Sequence, residues 1–141
     1  MGETEVEFLI IADSVEAVSG KLYMLGGAWD RAFATDYPTQ VRMGIAAGIR
    51  VPWEKTNEKI LVHLTFVDAD GQPIGPKEVE VTLEVGRPTG IRPGSNQRAI
   101  LALNTGFPIE KPGRYEVRAR VGESVDEQIV EFEMVAAPKP R

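Results

Sequence analysis

Hydrophobic and polar positions alternate with a period of two along most of this chain. In Lys77–Gly86, Val79, Val81, Leu83 and Val85 point one way, while Glu78, Glu80, Thr82 and Glu84 point the other. Arg114–Gly122 sets Tyr115, Val117, Ala119 and Val121 against Glu116, Arg118 and Arg120. Near the end, Val130, Phe132 and Met134 alternate with Ile129, Glu131 and Glu133. Successive side chains of a strand face opposite sides, so this rhythm predicts half-buried strands. Less regular strands are expected at Glu5–Ala12, Lys21–Leu25, Val41–Val51, Lys59–Val67 and Gln97–Asn104. About eight strands with turn signals between them predict an all-β fold, a two-sheet antiparallel sandwich.

The turns have local causes. Asp68-Ala69-Asp70-Gly71 supplies a glycine where a tight hairpin needs positive φ, and Pro112-Gly113 and Gly122-Glu123 punctuate the last strands. One short helical turn is expected at Ser14–Val18, with Asp13 as its cap, Glu16 at capping-box spacing and Gly20 to end it. The glycines and prolines of Gly86–Ser95 exclude a strand there. Residues 1–135 read as a single domain and residues 136–141 as a frayed tail.

Composition narrows the functional classes. A hydrophobic fraction of 43% supports one packed core, and a net charge of -5 with scattered basic residues argues against nucleic acid as a partner. Cysteine is absent, which excludes thiolate nucleophiles, disulfides and Cys-based metal sites. The N-terminus is acidic and the longest apolar run, Phe8–Ala12, is too short for a bilayer, so a membrane is not an expected partner. A cytoplasmic protein without a cofactor is the expectation.

Two resemblances follow from particular residues. Pro112-Gly113-Arg114-Tyr115-Glu116-Val117 resembles the penultimate strand of bacterial immunoglobulin-like modules. The resemblance implies an immunoglobulin-like sandwich in which Tyr115 buries its ring and returns its hydroxyl to nearby backbone. Over most of its length the chain also resembles a family of small bacterial proteins of unknown function. The matching stretches are Glu7–Asp13, Gly20–Gly27 with Trp29-Asp30, Val51–Asn57 and the Gly86–Gly94 loop. That likeness implies a bacterial origin and no particular activity.

Candidate chemistry is sparse. His63 is the only histidine and shares a strand face with Leu61 and Thr65; without a nucleophile-elbow sequence it reads as a partly exposed strand residue. A single histidine also excludes a histidine-rich metal site, so no metal is expected. Asp68 and Asp70 resemble the start of a calcium loop, but the residues that follow favour a hairpin. Arg87, Arg92 and Arg98 in or beside the glycine-rich loop form a candidate anion grip, with solvated loop arginines as the plainer reading. Trp29 with Asp30, and Trp53 with Glu54, Thr56 and Asn57, are either partner anchors or plugs for the end of the core.

The stretch Val41–Arg50 is the most informative. Val41, Met43, Ile45, Ala47 and Ile49 make a core face, and the opposite face reads Arg42, Gly44, Ala46, Gly48, Arg50. Two glycines at alternate positions predict close approach of another segment. With Val6, Phe8 and Ile10 facing the core, Leu9 and Ile11 fall on the outer side with them. This smooth face is covered either by the Gly26–Asp36 segment or by a second subunit, for which a two-fold homodimer is the commonest geometry. The expectation is therefore a non-enzymatic protein-interaction or structural module that binds a protein partner or itself. The alternative is an anionic-ligand binder or hydrolase using the Trp53 end and the Arg87/Arg92 loop.

Overall fold

The computed structural model describes residues 3–75 and 78–140; Lys77, where one expected strand begins, and residues 1, 2 and 141 of the expected domain and tail lie outside them. Among the described residues nine strands form: β1 (Glu5–Val18), β2 (Lys21–Gly27), β3 (Arg31–Ala34), β4 (Thr39–Val51), β5 (Lys59–Asp68), β6 (Val79–Glu84), β7 (Gln97–Ile109), β8 (Gly113–Val121) and β9 (Gln128–Ala136). They make two sheets, of order β2-β1-β4-β7 and β3-β9-β8-β5-β6. The five-stranded sheet curls into a half-barrel. Apart from a 3-10 turn at Trp53–Lys55, the described residues contain no helix.

The core lies between the sheets, where alternation places it. Met43, Ile45, Ala47 and Ile49 of β4 meet Val62, Leu64 and Phe66 of β5, Val117 of β8 and Phe132 of β9 in one buried cluster. Each large side chain removed from water contributes about 1.5–3 kcal/mol. Tyr115 is buried, and its hydroxyl donates to the Lys111 carbonyl at 2.5 Å. Asp68 is consumed by its own turn, its carboxylate accepting from the backbone N–H groups of Asp70 and Gln72 at 2.9 Å each.

Four expectations need correction. Ser14–Val18 is strand rather than helix: Val18 and Lys21 are paired across Ser19 and Gly20, both at positive φ, the two-residue hairpin turn whose twist matches its strands. The alternation of Val15 and Ala17 against Ser14, Glu16 and Val18 outweighs the capping-box spacing. The sheets are not wholly antiparallel, because β3 pairs in parallel with β9, Arg31 opposite Glu133 through Ala34 opposite Ala136. The facing of β1 is inverted beyond Val6. A bulge between Val6 and Phe8 shifts the register, so Val6, Leu9 and Ile11 all pack into the inter-sheet core, and Phe8 and Ile10 turn outward opposite Gly48 and Ala46. Finally, β9 runs one residue into the expected tail, where Ala137 donates to the Ala34 carbonyl and Lys139 pairs with Asp36.

Burial raises the pKa of the Tyr115 phenol above its ordinary value. The folded state therefore holds this proton more tightly than the unfolded chain does. The associated stability is fully present below about pH 10 and is lost as pH rises through the folded pKa. Tyr115→Phe is expected to cost about 0.5–1.5 kcal/mol at neutral pH through the lost hydrogen bond. It should also flatten the alkaline fall in urea midpoint, which a pH series on both proteins checks.

Candidate functional site

Beyond Ala12, β1 leaves β4 and the β1–β2 hairpin folds across the outer face of the four-stranded sheet. Its inward residues Val15, Leu22 and Met24 pack with Ala12, Ala46 and Ala102 in a second small cluster. Gly44 and Asn104 are cross-strand partners on β4 and β7. The missing side chain at Gly44 lets the Val15 backbone come close: an added Cβ would sit 2.8 Å from the Val15 nitrogen. The Asn104 carboxamide then satisfies both polar groups, accepting from Val15 N–H at 3.0 Å and donating to the Val15 carbonyl at 2.9 Å. At Gly48 an added Cβ would overlap the Phe8 ring. Gly44 thus admits another segment, as the spacing predicts, whereas Gly48 makes room for the ring of its own cross-strand partner.

Of the residues expected to form an interface, Gly44, Ala46 and Gly48 are covered by the chain itself, and Ile11 is wholly buried in the main core. Leu9 is half-buried against that core, and Arg42 is exposed. The covering segment is the hairpin, residues 13–24, rather than Gly26–Asp36. What stays open lies on the hairpin's outward face. Ser14, Glu16 and Val18 stand opposite Leu25, Tyr23 and Lys21 there, and Val18, Tyr23 and Leu25 are 43%, 52% and 73% exposed. Among the described residues β2 is also an edge strand, with one side of its backbone unpaired. Sequence reading missed Tyr23 and Leu25, because their strand looked like ordinary half-buried alternation.

The loop-end residues are brought together only in part. Arg87 stacks its guanidinium over the Trp53 ring at 3.8 Å, donates from Nε to Thr56 Oγ1 at 2.7 Å and from Nη2 to the Trp53 carbonyl at 2.9 Å. Thr56 is buried and donates to that same carbonyl. Asn57, at φ 63, donates its backbone N–H to the Val85 carbonyl, so the Trp53 turn is stapled to the Gly86 loop. Glu54 and Arg92 are exposed and take no part in this staple. Arg98 lies elsewhere, clamped on Glu7, whose carboxyl its guanidinium holds below the usual range. With its face on the Trp53 ring and two of its donors on Thr56 and Trp53, the Arg87 guanidinium braces the loop end.

Trp29 is half-buried against the core. Its ring meets Phe132 edge-on at a centroid distance of 5.8 Å, while Asp30 is exposed and pairs with Arg31. A cleft of about 450 Å³ beside it is lined in part by Asp13, Arg31 and Arg42. His63 is partly exposed on the outer face of the five-stranded sheet, as its strand position predicts. No helix among the described residues is long and apolar enough to cross a membrane.

The model of a family of unknown function (DUF6941) matches residues 7–130. No curated protein matches the chain.

Proposed function

We propose, from the premise that the chain belongs to the DUF6941 family of unknown function, that it is a non-enzymatic interaction module. Its binding surface is the β1–β2 hairpin, and its simplest partner is a second copy of the chain. The supporting observation is the coincidence of an open strand edge at β2 with exposed Tyr23 and Leu25. Unpaired edge backbone offers a template for strand addition, and protruding apolar side chains on the same strand add burial to backbone pairing. Pairing β2 with β2 about a two-fold axis would extend the sheet and cover Leu25 in both copies. The buried Tyr115 with its hydroxyl on backbone favours kinship with immunoglobulin-like modules, and the cysteine-free sequence suits a reducing, cytoplasmic setting.

Sedimentation velocity across a concentration series tests the reading. The wild type should shift from monomer to dimer by high micromolar concentration, and Leu25→Asp, whose side chain touches solvent, should remain monomeric with an unchanged melting temperature. A wild type that stays monomeric throughout, or a Leu25→Asp protein that dimerises equally well, overturns pairing through β2.

A further inference from the structure

We infer that His63, Glu78 and Glu80 form a binding site for a divalent transition-metal cation of the zinc kind. The site lies on the outer face of the five-stranded sheet and is independent of the β1–β2 hairpin. His63 on β5 and Glu80 on β6 are directly paired residues, so their side chains rise side by side from one face. Glu78 precedes Glu80 by two residues, the spacing that returns a side chain to the same face of an extended chain. His63 Nδ1 is 2.5 Å from Glu78 Oε1 and 3.6 Å from Glu80 Oε1, and one ligand atom from each residue lies within 4.8 Å of the others.

These separations suit a small cation. Bonds of about 2.1 Å at tetrahedral angles set ligand atoms about 3.4 Å apart, so Glu80 stands at close to that distance from His63 and Glu78 has to draw back from it by under about 1 Å. The donor set decides the class of ion. One imidazole nitrogen with two carboxylates suits zinc and its first-row neighbours, whereas magnesium and calcium call for more oxygen donors. The His63 side chain is only 11% exposed, so its rotamer is restricted before any ion arrives. A single histidine rules out a histidine-rich site but not this mixed one.

One neighbour works against the ion. Arg120, paired with His63 from β8, places Nη2 3.6 Å from Glu78 Oε1. Its positive charge competes for the carboxylate that the cation needs, which makes Arg120→Gln a diagnostic variant.

Isothermal titration with zinc alone, on the full chain, is the test. The wild type should take up one zinc per chain in the micromolar range, with a rise in melting temperature. His63→Gln and Glu80→Gln should each weaken binding by more than about tenfold, while Arg120→Gln strengthens it. All three side chains lie on a solvent-facing strand surface, and circular dichroism reports whether each variant stays folded. Equal affinity in wild type and His63→Gln, no uptake by the wild type at micromolar zinc, or an Arg120→Gln protein that binds more weakly would overturn the assignment.

Discussion

Phe132→Ala is expected to destabilise the fold by about 3–5 kcal/mol, the range for deleting a buried aromatic ring. Phe132 is the hub of the aromatic core. Trp29 meets it edge-on at 5.8 Å, Tyr115 stacks on it at 5.8 Å and Phe107 lies 6.5 Å away. Phe107 in turn leans on Phe66 at 4.9 Å. These rings come from both sheets and from the Trp29 segment, so none can move into the vacancy without abandoning contacts of its own. Val117→Ala, which removes less volume from an equally buried place, should cost less, and Val81→Ala, at a half-buried position, less again. Urea midpoints that fail to fall in this order would contradict the packing described.

Gly44→Val is expected to cost more than about 3 kcal/mol, combining overpacking with broken hydrogen bonds. The group it would strike first is backbone, the Val15 nitrogen, which cannot swing aside as a side-chain tip can. Displacing Val15 also breaks both of its bonds to Asn104, leaving polar groups to be re-paired in a part-buried seam. Asn104→Ala opens the same seam from the other side, so Gly44→Ala and Asn104→Ala should fall short of additivity in a double-mutant cycle. Gly48→Ala should be milder, since there the obstruction is the half-exposed Phe8 ring. Equal losses at positions 44 and 48 would show that the hairpin is not seated through Gly44.

Much of the fold was legible because alternation is a local property. Strands β6, β8 and β9 follow directly from it, and so does the core face of β4. The two glycines of β4 announced a close approach because nothing else explains their spacing. Other features depend on partners distant in sequence. The bulge after Val6 leaves no mark that separates Phe8 from Leu9, since both are large and apolar. The four residues of β3 are too few to show a period, and their parallel partner lies about a hundred residues away. Asn104 looked like any polar residue at a strand end until Val15 was placed against it. The loop-end site was half legible: Trp53, Thr56 and Arg87 do meet, but their bonds face one another, and only coordinates reveal where a guanidinium points.

The order of the strands also governs synthesis. Every member of the four-stranded sheet has been synthesised once β7 is made, whereas the opposing sheet is incomplete until β9 follows. Met43, Ile45 and Ile49 are therefore exported before Phe132 exists to roof them, and β3 waits as an orphan ribbon for its mate. A nascent chain that has just released Ile109 from the exit tunnel presents a greasy, half-built slab, the stage at which a holdase chaperone has most to grasp.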